Sequence, residues 1–260
     1  MSLQRLRTLD VSAASGLVRR GDTFYIVADD ELGLLAVPDV GPAFTIPLLP
    51  GLLPEAHAAR KAAKPDLEAL CRWPGDGLLA LGSGSTASRH RGCLLRPVAG
   101  DMSRGTVTIL DLGPLHARLS ETFPGLNLEG AAVRGDALVL LQRGNGSGNL
   151  PALVELDLPA ALRAVDAGEP WGPELLRSIR DVPLGARRGT MLGFTDASPL
   201  LIAHSKQFFE QQGLEVEAPK LFRSWAQIVE AFMAGQVNVV HLLSPMTVWA
   251  RYGSKFPAKV

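Results

Sequence analysis

Cysteine is scarce in this sequence, with Cys71 and Cys93 the only two. Two thiols make no disulfide framework and too few ligands for a zinc site. Surplus charge is also absent, because 26 basic residues face 26 acidic ones. A chain without net charge has no global field to gather nucleic acid or an anionic membrane surface. Long apolar runs are missing too, and none reaches the roughly 18 residues that span a bilayer. The stretch Met1–Gly16 carries Arg5 and Arg7 but no continuous apolar segment, so no secretory signal is read there. These absences point to a cytoplasmic protein with no nucleic-acid partner and no membrane span. Catalytic signatures are lacking as well. There is no Gly-x-Ser-x-Gly elbow and no His-Glu-x-x-His, and the five histidines are scattered.

What is present is ordinary globular material, 47% hydrophobic and 20% charged over 260 residues. That is enough chain for one large domain or two modest ones. Its distribution is uneven. Residues 1–190 are rich in Gly and Pro and carry short apolar runs such as Phe24–Val27, Leu78–Leu81 and Ala137–Leu141. Runs of four or five bounded by turn residues read as buried strands. They recur as a unit: a small or acidic residue, a strand, a Gly-Asp turn, then a second strand. The turns are Gly21-Asp22, Gly75-Asp76 and Gly135-Asp136, and the anchors are Ser15, Glu68 and Glu129. Anchor spacings of 68 − 15 = 53 and 129 − 68 = 61 residues are on the order of one propeller blade with insertions. Further strands fit Leu34–Val37, Cys93–Leu95, Val107–Leu110 and Ala152–Leu156, with helical inserts at Leu115–Thr122 and Pro159–Ala167. The expected architecture is mainly β, an incomplete β-propeller of about three blades.

A fourth unit is due near Thr195-Asp196-Ala197-Ser198, but the Gly-Asp turn does not follow. Closed propellers need about four to eight blades, so three leave open strand edges through which copies could self-associate. The segments Lys64–Leu70, Leu81–Ser85, Leu126–Ala132, Leu141–Asn145 and Leu192–Ala197 resemble a family of bacterial β-propellers of unknown function, in the style of phytase-like and esterase-like propellers. The resemblance covers roughly residues 5–198 and implies later blades that this chain lacks.

Residues 191–260 follow another rhythm. Met191–Phe194 reads as a strand, Pro199–Gln212 as a helix stopped by Gly213, and Leu214–Glu217 as a second strand. Ser224 and Gln227 form a capping box for a helix ending at Gly235. Val237–Leu243 is a third strand, and Ser244-Pro245 opens a third helix. This is a partial α/β lobe of βαβαβα order, of periplasmic-binding-protein type, with helix N-termini gathered at one sheet edge as an anion site. The segments Gly193–Leu200, Phe208–Val216, Ser224-Trp225, Ala234–Gln236 and His241–Met246 resemble the first part of substrate-binding proteins of the nitrate, bicarbonate, sulfonate and thiamine-precursor group, closest to the nitrate/bicarbonate branch. That family has two lobes, and only half of the first is represented here. Both resemblances overlap in Gly193–Leu200, which points to recombination at a stretch of local similarity and a chimeric or truncated product.

Two sets of candidate residues follow. Asp66, Glu68, Asn127, Glu129 and Asp196 begin the inner strands of successive units. They could ring a channel as hard oxygen ligands for Ca²⁺ or as an acid/base pair, or simply cap strand ends. Asp29 and Asp30 read as a solvated loop, and Arg89–Arg91 as a solvated face. By the second resemblance, Thr195, Asp196, Ser198, Trp225, His241 and Ser244 are anion-pocket residues, with a packing role for Trp225 and caps for the serines as the alternative. Gly82–Ser85 and Gly144–Gly148 lack the Lys-Ser/Thr of a phosphate loop and read as hairpin loops. Phe208-Phe209 reads as core, and the cysteines as small buried apolar residues. The expected function is a non-catalytic small-anion binding module fused to a propeller of unknown role, and the alternative is a metal-dependent propeller hydrolase of phosphoesters or lactones.

Overall fold

The computed structural model describes residues 13–143 and 151–182 without a break, shorter stretches at 186–187, 190–191, 207–217 and 225–237, and a few single positions. The chain divides into two compact units, Met1–Phe194 and Thr195–Val260.

The first unit is mainly β. Its first sheet is an antiparallel meander of β1 (Ala14–Arg20), β2 (Thr23–Ala28), β3 (Gly33–Pro38) and β4 (Phe44–Pro47). After helix α1 (His57–Ala63) comes the second meander, β5 (Leu67–Trp73), β6 (Gly77–Gly82), β7 (Arg91–Val98) and β8 (Asp101–Asp111). Helix α2 (Gly113–Thr122) leads to the third, β9 (Leu128–Arg134), β10 (Ala137–Gln142), β11 (Ala152–Asp157) and, after α3 (Leu158–Ala167), β12 (Leu176–Asp181). The first strands stand side by side, β1 against β5 and β5 against β9.

The repeated Gly-Asp pair makes the first hairpin in each four-stranded sheet. Gly21, Gly75 and Gly135 take φ of +59°, +74° and +59°, the left-handed region that a tight hairpin turn requires and a side chain resists. Helix α3 starts where the Asp157 carboxylate accepts the Ala160 N–H at 2.7 Å, and it stops at Gly168, also left-handed.

Period-two alternation assigns the cores. On the middle sheet Leu78, Ala80, Cys93 and Leu95 join Tyr25, Val27, Leu34 and Ile46 of the first sheet. Their neighbours Cys71, Leu79, Leu81 and Leu94 face the other way, onto Leu138, Leu140, Val154, Leu156 and the helices α2 and α3. Every residue of β6 is consequently buried, whereas β11 alternates buried and half-buried. Trp171, fully buried, stacks on Trp73 with ring centroids 6.0 Å apart. Cys71 and Cys93 are buried strand residues, and burial pushes both thiols up to about 12.

The second unit contributes, among its described residues, helices α4 (Phe208–Gln211) and α5 (Trp225–Met233) and no strand. Gly213 follows α4 with φ +73°, its N–H bonded to the Glu210 carbonyl. Leu214–Glu217, expected as a strand, is irregular and exposed, because no described neighbour offers it a ladder. Phe208, expected in a core, is 50% exposed. In a helix of one turn, adjacent residues point to different sides, and only Phe209 is half-buried. The helix expected at 199–212 is described at its end, as α4, and the rest of it, the expected strands at 191–194 and 237–243 and the helix after 245 lie mostly outside the described residues.

Candidate functional site

The heads of the three sheets are tied by backbone hydrogen bonds that repeat with the sequence. Within each sheet the residue after the second strand donates to the residue before the first: Asp29 to Ala13 at 3.1 Å, Ser83 to Asp66 at 3.0 Å, Arg143 to Asn127 at 3.0 Å. Between sheets, the Asp66 N–H donates to the Asp29 carbonyl at 3.0 Å and the Leu128 N–H to the Ser83 carbonyl at 2.8 Å. This lattice forces Asp66 to a left-handed φ of +56° and draws Asp29, Asp66, Ser83, Asn127 and Arg143 together.

Asp66 is the buried centre, 3% exposed. Its Oδ1 accepts Lys64 Nζ at 2.7 Å, and its Oδ2 accepts the Ser83 hydroxyl at 2.5 Å and faces Arg89 Nη1 at 3.0 Å. Lys64 also pairs with Asp29, and Arg89 donates to the Ser85 hydroxyl at 2.6 Å. Burial pulls the Lys64 ammonium down, but Asp29 and Asp66 outweigh it and leave it raised. On the next sheet, the Glu129 carboxylate takes Arg143 Nη1 at 3.0 Å and the Asn127 amide, while the Asn127 N–H donates to Gln142 Oε1 at 2.8 Å.

Asp29, Asp66 and Glu68 bring one ligand atom each within 4.8 Å of one another. The charges decide what such a group can hold. Lys64, Arg89 and Arg143 already face Asp29, Asp66 and Glu129. A divalent cation would have to displace an ammonium and a guanidinium from Asp66. Glu68 is the surplus carboxylate, with no ion pair among the described residues. Burial chiefly, then the charges of Glu129 and Asp66, push it up to about 7, against the downward pull of a hydrogen bond with Ser15.

The structure thus brings Asp66 and Glu68 together and sets Asn127 and Glu129 at the head of the adjoining strand. It corrects two expectations. Asp29 lies within the cluster rather than in a solvated loop, because its carbonyl anchors Asp66 and its carboxylate meets Lys64. Arg89 turns inward to Asp66 rather than covering a solvated face. Lys64, Ser83 and Arg143 were not foreseen, although Lys64-Pro65-Asp66 put a cation and an anion on either side of a stiff residue. Of the anion-pocket candidates, Thr195, Asp196, Ser198, His241 and Ser244 lie outside the described residues. Trp225 opens α5, and its side chain is likewise outside them.

A second polar spot lies beside the middle sheet. A cavity of about 460 Å³ is lined by His90, Arg91, Ile109, Leu110, Asp111 and others. Behind it His116, fully buried, sits edge-on to His90 at 5.1 Å, its ring nitrogens without a described hydrogen-bond partner. Burial, then His90, push its imidazole down to about 3, with Asp111 opposing. It is neutral.

Fold and site together define a β-protein of tandem four-stranded meanders with a charge-compensated acidic centre. The chain belongs to a family of unknown function (DUF6929), whose model matches residues 10–209. The model of the NMT1-like family matches residues 189–260. No curated protein matches the chain. Among the described residues, no helix is long and apolar enough to cross a membrane.

Proposed function

We propose that this protein is a non-catalytic binding protein: three blades of a β-propeller, residues 1–190, carrying at 191–260 the first segment of a substrate-binding lobe for a small oxyanion such as nitrate or bicarbonate. The observation that carries the reading is the match of residues 189–260 to the NMT1-like family. That match overlaps the match of the family of unknown function over 189–209, where two modules would be spliced. In this reading Thr195, Asp196, Ser198, Trp225, His241 and Ser244 contact the anion, and helix N-termini supply free N–H groups. The acidic centre favours structure over metal catalysis, since Lys64 and Arg89 hold the carboxylates a cation would need.

Half a lobe leaves the anion wet and screened, so the dissociation constant is expected near 1 mM, about −4 kcal/mol. Calorimetry with sodium nitrate and sodium bicarbonate tests this. Weak binding that is lost in Trp225→Ala supports it. A melting temperature raised by CaCl₂ and indifferent to both anions, with hydrolysis of a phosphoester or lactone in its presence, would replace it with the metal-dependent hydrolase.

A further inference from the structure

His116 sits where packing alone would put an apolar side chain. It lies on the buried face of α2 with Leu115 and Leu119, and neither of its ring nitrogens has a hydrogen-bond partner among the described residues. A buried polar group left without a partner is costly, so its presence asks for a ligand. The fold nonetheless makes room for the ring. Gly84, left-handed at φ +77°, lies against it, and a Cβ there would stand 3.0 Å from Nδ1 and 3.1 Å from Cε1. With Nδ1 turned to that glycine, Nε2 is the nitrogen left to face a ligand.

His90 stands opposite, half-buried, between the short 3-10 helix Ala87–Arg89 and β7. Two backbone bonds tie it to His116. The Leu112 N–H donates to the His90 carbonyl and the His116 N–H to the Leu112 carbonyl, each at 2.9 Å. The two ring centres are 5.1 Å apart and the planes 75° from parallel. A ring nitrogen lies about 1.1 Å from the ring centre and about 2.1 Å from zinc, so two imidazoles on one tetrahedral ion stand about 5 Å apart, against about 4.5 Å at a right angle. The observed spacing is the tetrahedral one.

Asp111 brings a carboxylate to the same place. Its Oδ1 accepts the Gly113 N–H at 2.8 Å, and a Cβ on Gly113 would stand 3.0 Å from that oxygen and 4.0 Å from His90 Nδ1. The three ligand atoms are not gathered within 4.8 Å as those of Asp29, Asp66 and Glu68 are, so the exposed Asp111 side chain has to rotate to close the set. His90, Asp111 and Gly113 line the cavity of about 460 Å³, which is an ion's way in. Arg91 lines it too, and its charge suits an anion on the coordination position left over.

We propose that His90, His116 and Asp111 bind one divalent transition-metal ion of the zinc type, with its fourth position open to the cavity. The donors decide the class of metal: imidazole suits zinc, nickel or copper, whereas calcium and magnesium take oxygens. His116 has no proton to lose on binding, because burial already holds it neutral.

Calorimetric titration of ZnCl₂ into the full chain, stripped of metal with EDTA, tests the site. One ion per chain is expected, at a Kd of about 1 μM or tighter. CoCl₂ in its place should give the intense visible absorption of tetrahedral cobalt. His90→Ala and His116→Phe should each weaken zinc tenfold or more and remove the cobalt absorption. Glu68→Gln, in the acidic cluster, should change neither. His90 is only half-buried, so its variant reads the site even where His116→Phe fails to fold. A wild type that takes up no zinc overturns the inference and leaves two packed rings. Zinc binding that survives His90→Ala, or that is lost in Glu68→Gln, overturns it equally.

Discussion

Replacing Glu68 by Gln should make the protein more stable at pH 8 and leave it unchanged near pH 4. The folded carboxyl sits at about 7 against an ordinary 4.5. Below 4.5 it is protonated in both folded and unfolded chains, and the stability it permits is fully present. As pH rises through 7 the folded chain must carry the charge beside Asp66 and Glu129, and that stability is lost. A displacement of this size corresponds to roughly 3 kcal/mol at 1.36 kcal/mol per pH unit, and screening at a half-buried site cuts it to about 1.5 kcal/mol. Glutamine keeps the shape and drops the charge. For a unit of this size the gain is roughly 3–6 °C in melting temperature at pH 8. Thermal melts of wild type and E68Q at half-unit steps from pH 4 to 9 measure it. A difference of constant size across the range, or a variant less stable at pH 8, would refute the charge bookkeeping at the sheet heads.

Other outcomes follow from the same structure. His116, held neutral with its imidazole near 3, costs stability as pH falls below its ordinary 6.5; the loss reaches about 2 kcal/mol at pH 5, and His116→Phe should remove it from the acid limb of urea melts. Gly82→Ala should cost about 1–3 kcal/mol, because a Cβ there meets the Arg91 carbonyl at 2.9 Å and the Pro65 carbonyl at 3.1 Å; chemical denaturation reads it directly. Lys64→Gln should lower stability by about 1–3 kcal/mol and, by freeing oxygens of Asp29 and Asp66, make the melting temperature respond to millimolar CaCl₂ where the wild type does not.

The β repeat was legible because its signal is local. A Gly-Asp turn between apolar runs states where a hairpin reverses, and all three did. The strands that escaped notice are the outer ones. Phe44–Pro47 is short and ends on a proline, and Leu176–Asp181 is half charged, since an edge strand needs no apolar face. Asp66, Glu68, Asn127 and Glu129 were found by position in the repeat. Lys64, Ser83, Arg89 and Arg143 were not, because what assembles them is a set of backbone bonds between segments as far apart as Ser83 and Leu128. Periodicity cannot report such links. The strand read at Leu214–Glu217 shows the converse: alternation describes a face, and a strand also needs a neighbour.

Each four-stranded sheet draws all its strands from one uninterrupted stretch of chain, residues 14–47, 67–111 and 128–181, and lends none to another sheet. Under mechanical load this makes the molecule a series of separate latches. Pulled from its ends, an outer sheet can peel away without unzipping a ladder in its neighbour, while the middle one, gripped on both sides, is held until a flank has gone. A force trace would then show discrete steps of roughly 12, 16 and 19 nm, the extended lengths of the three stretches at about 3.5 Å per residue, with the 16 nm step never first.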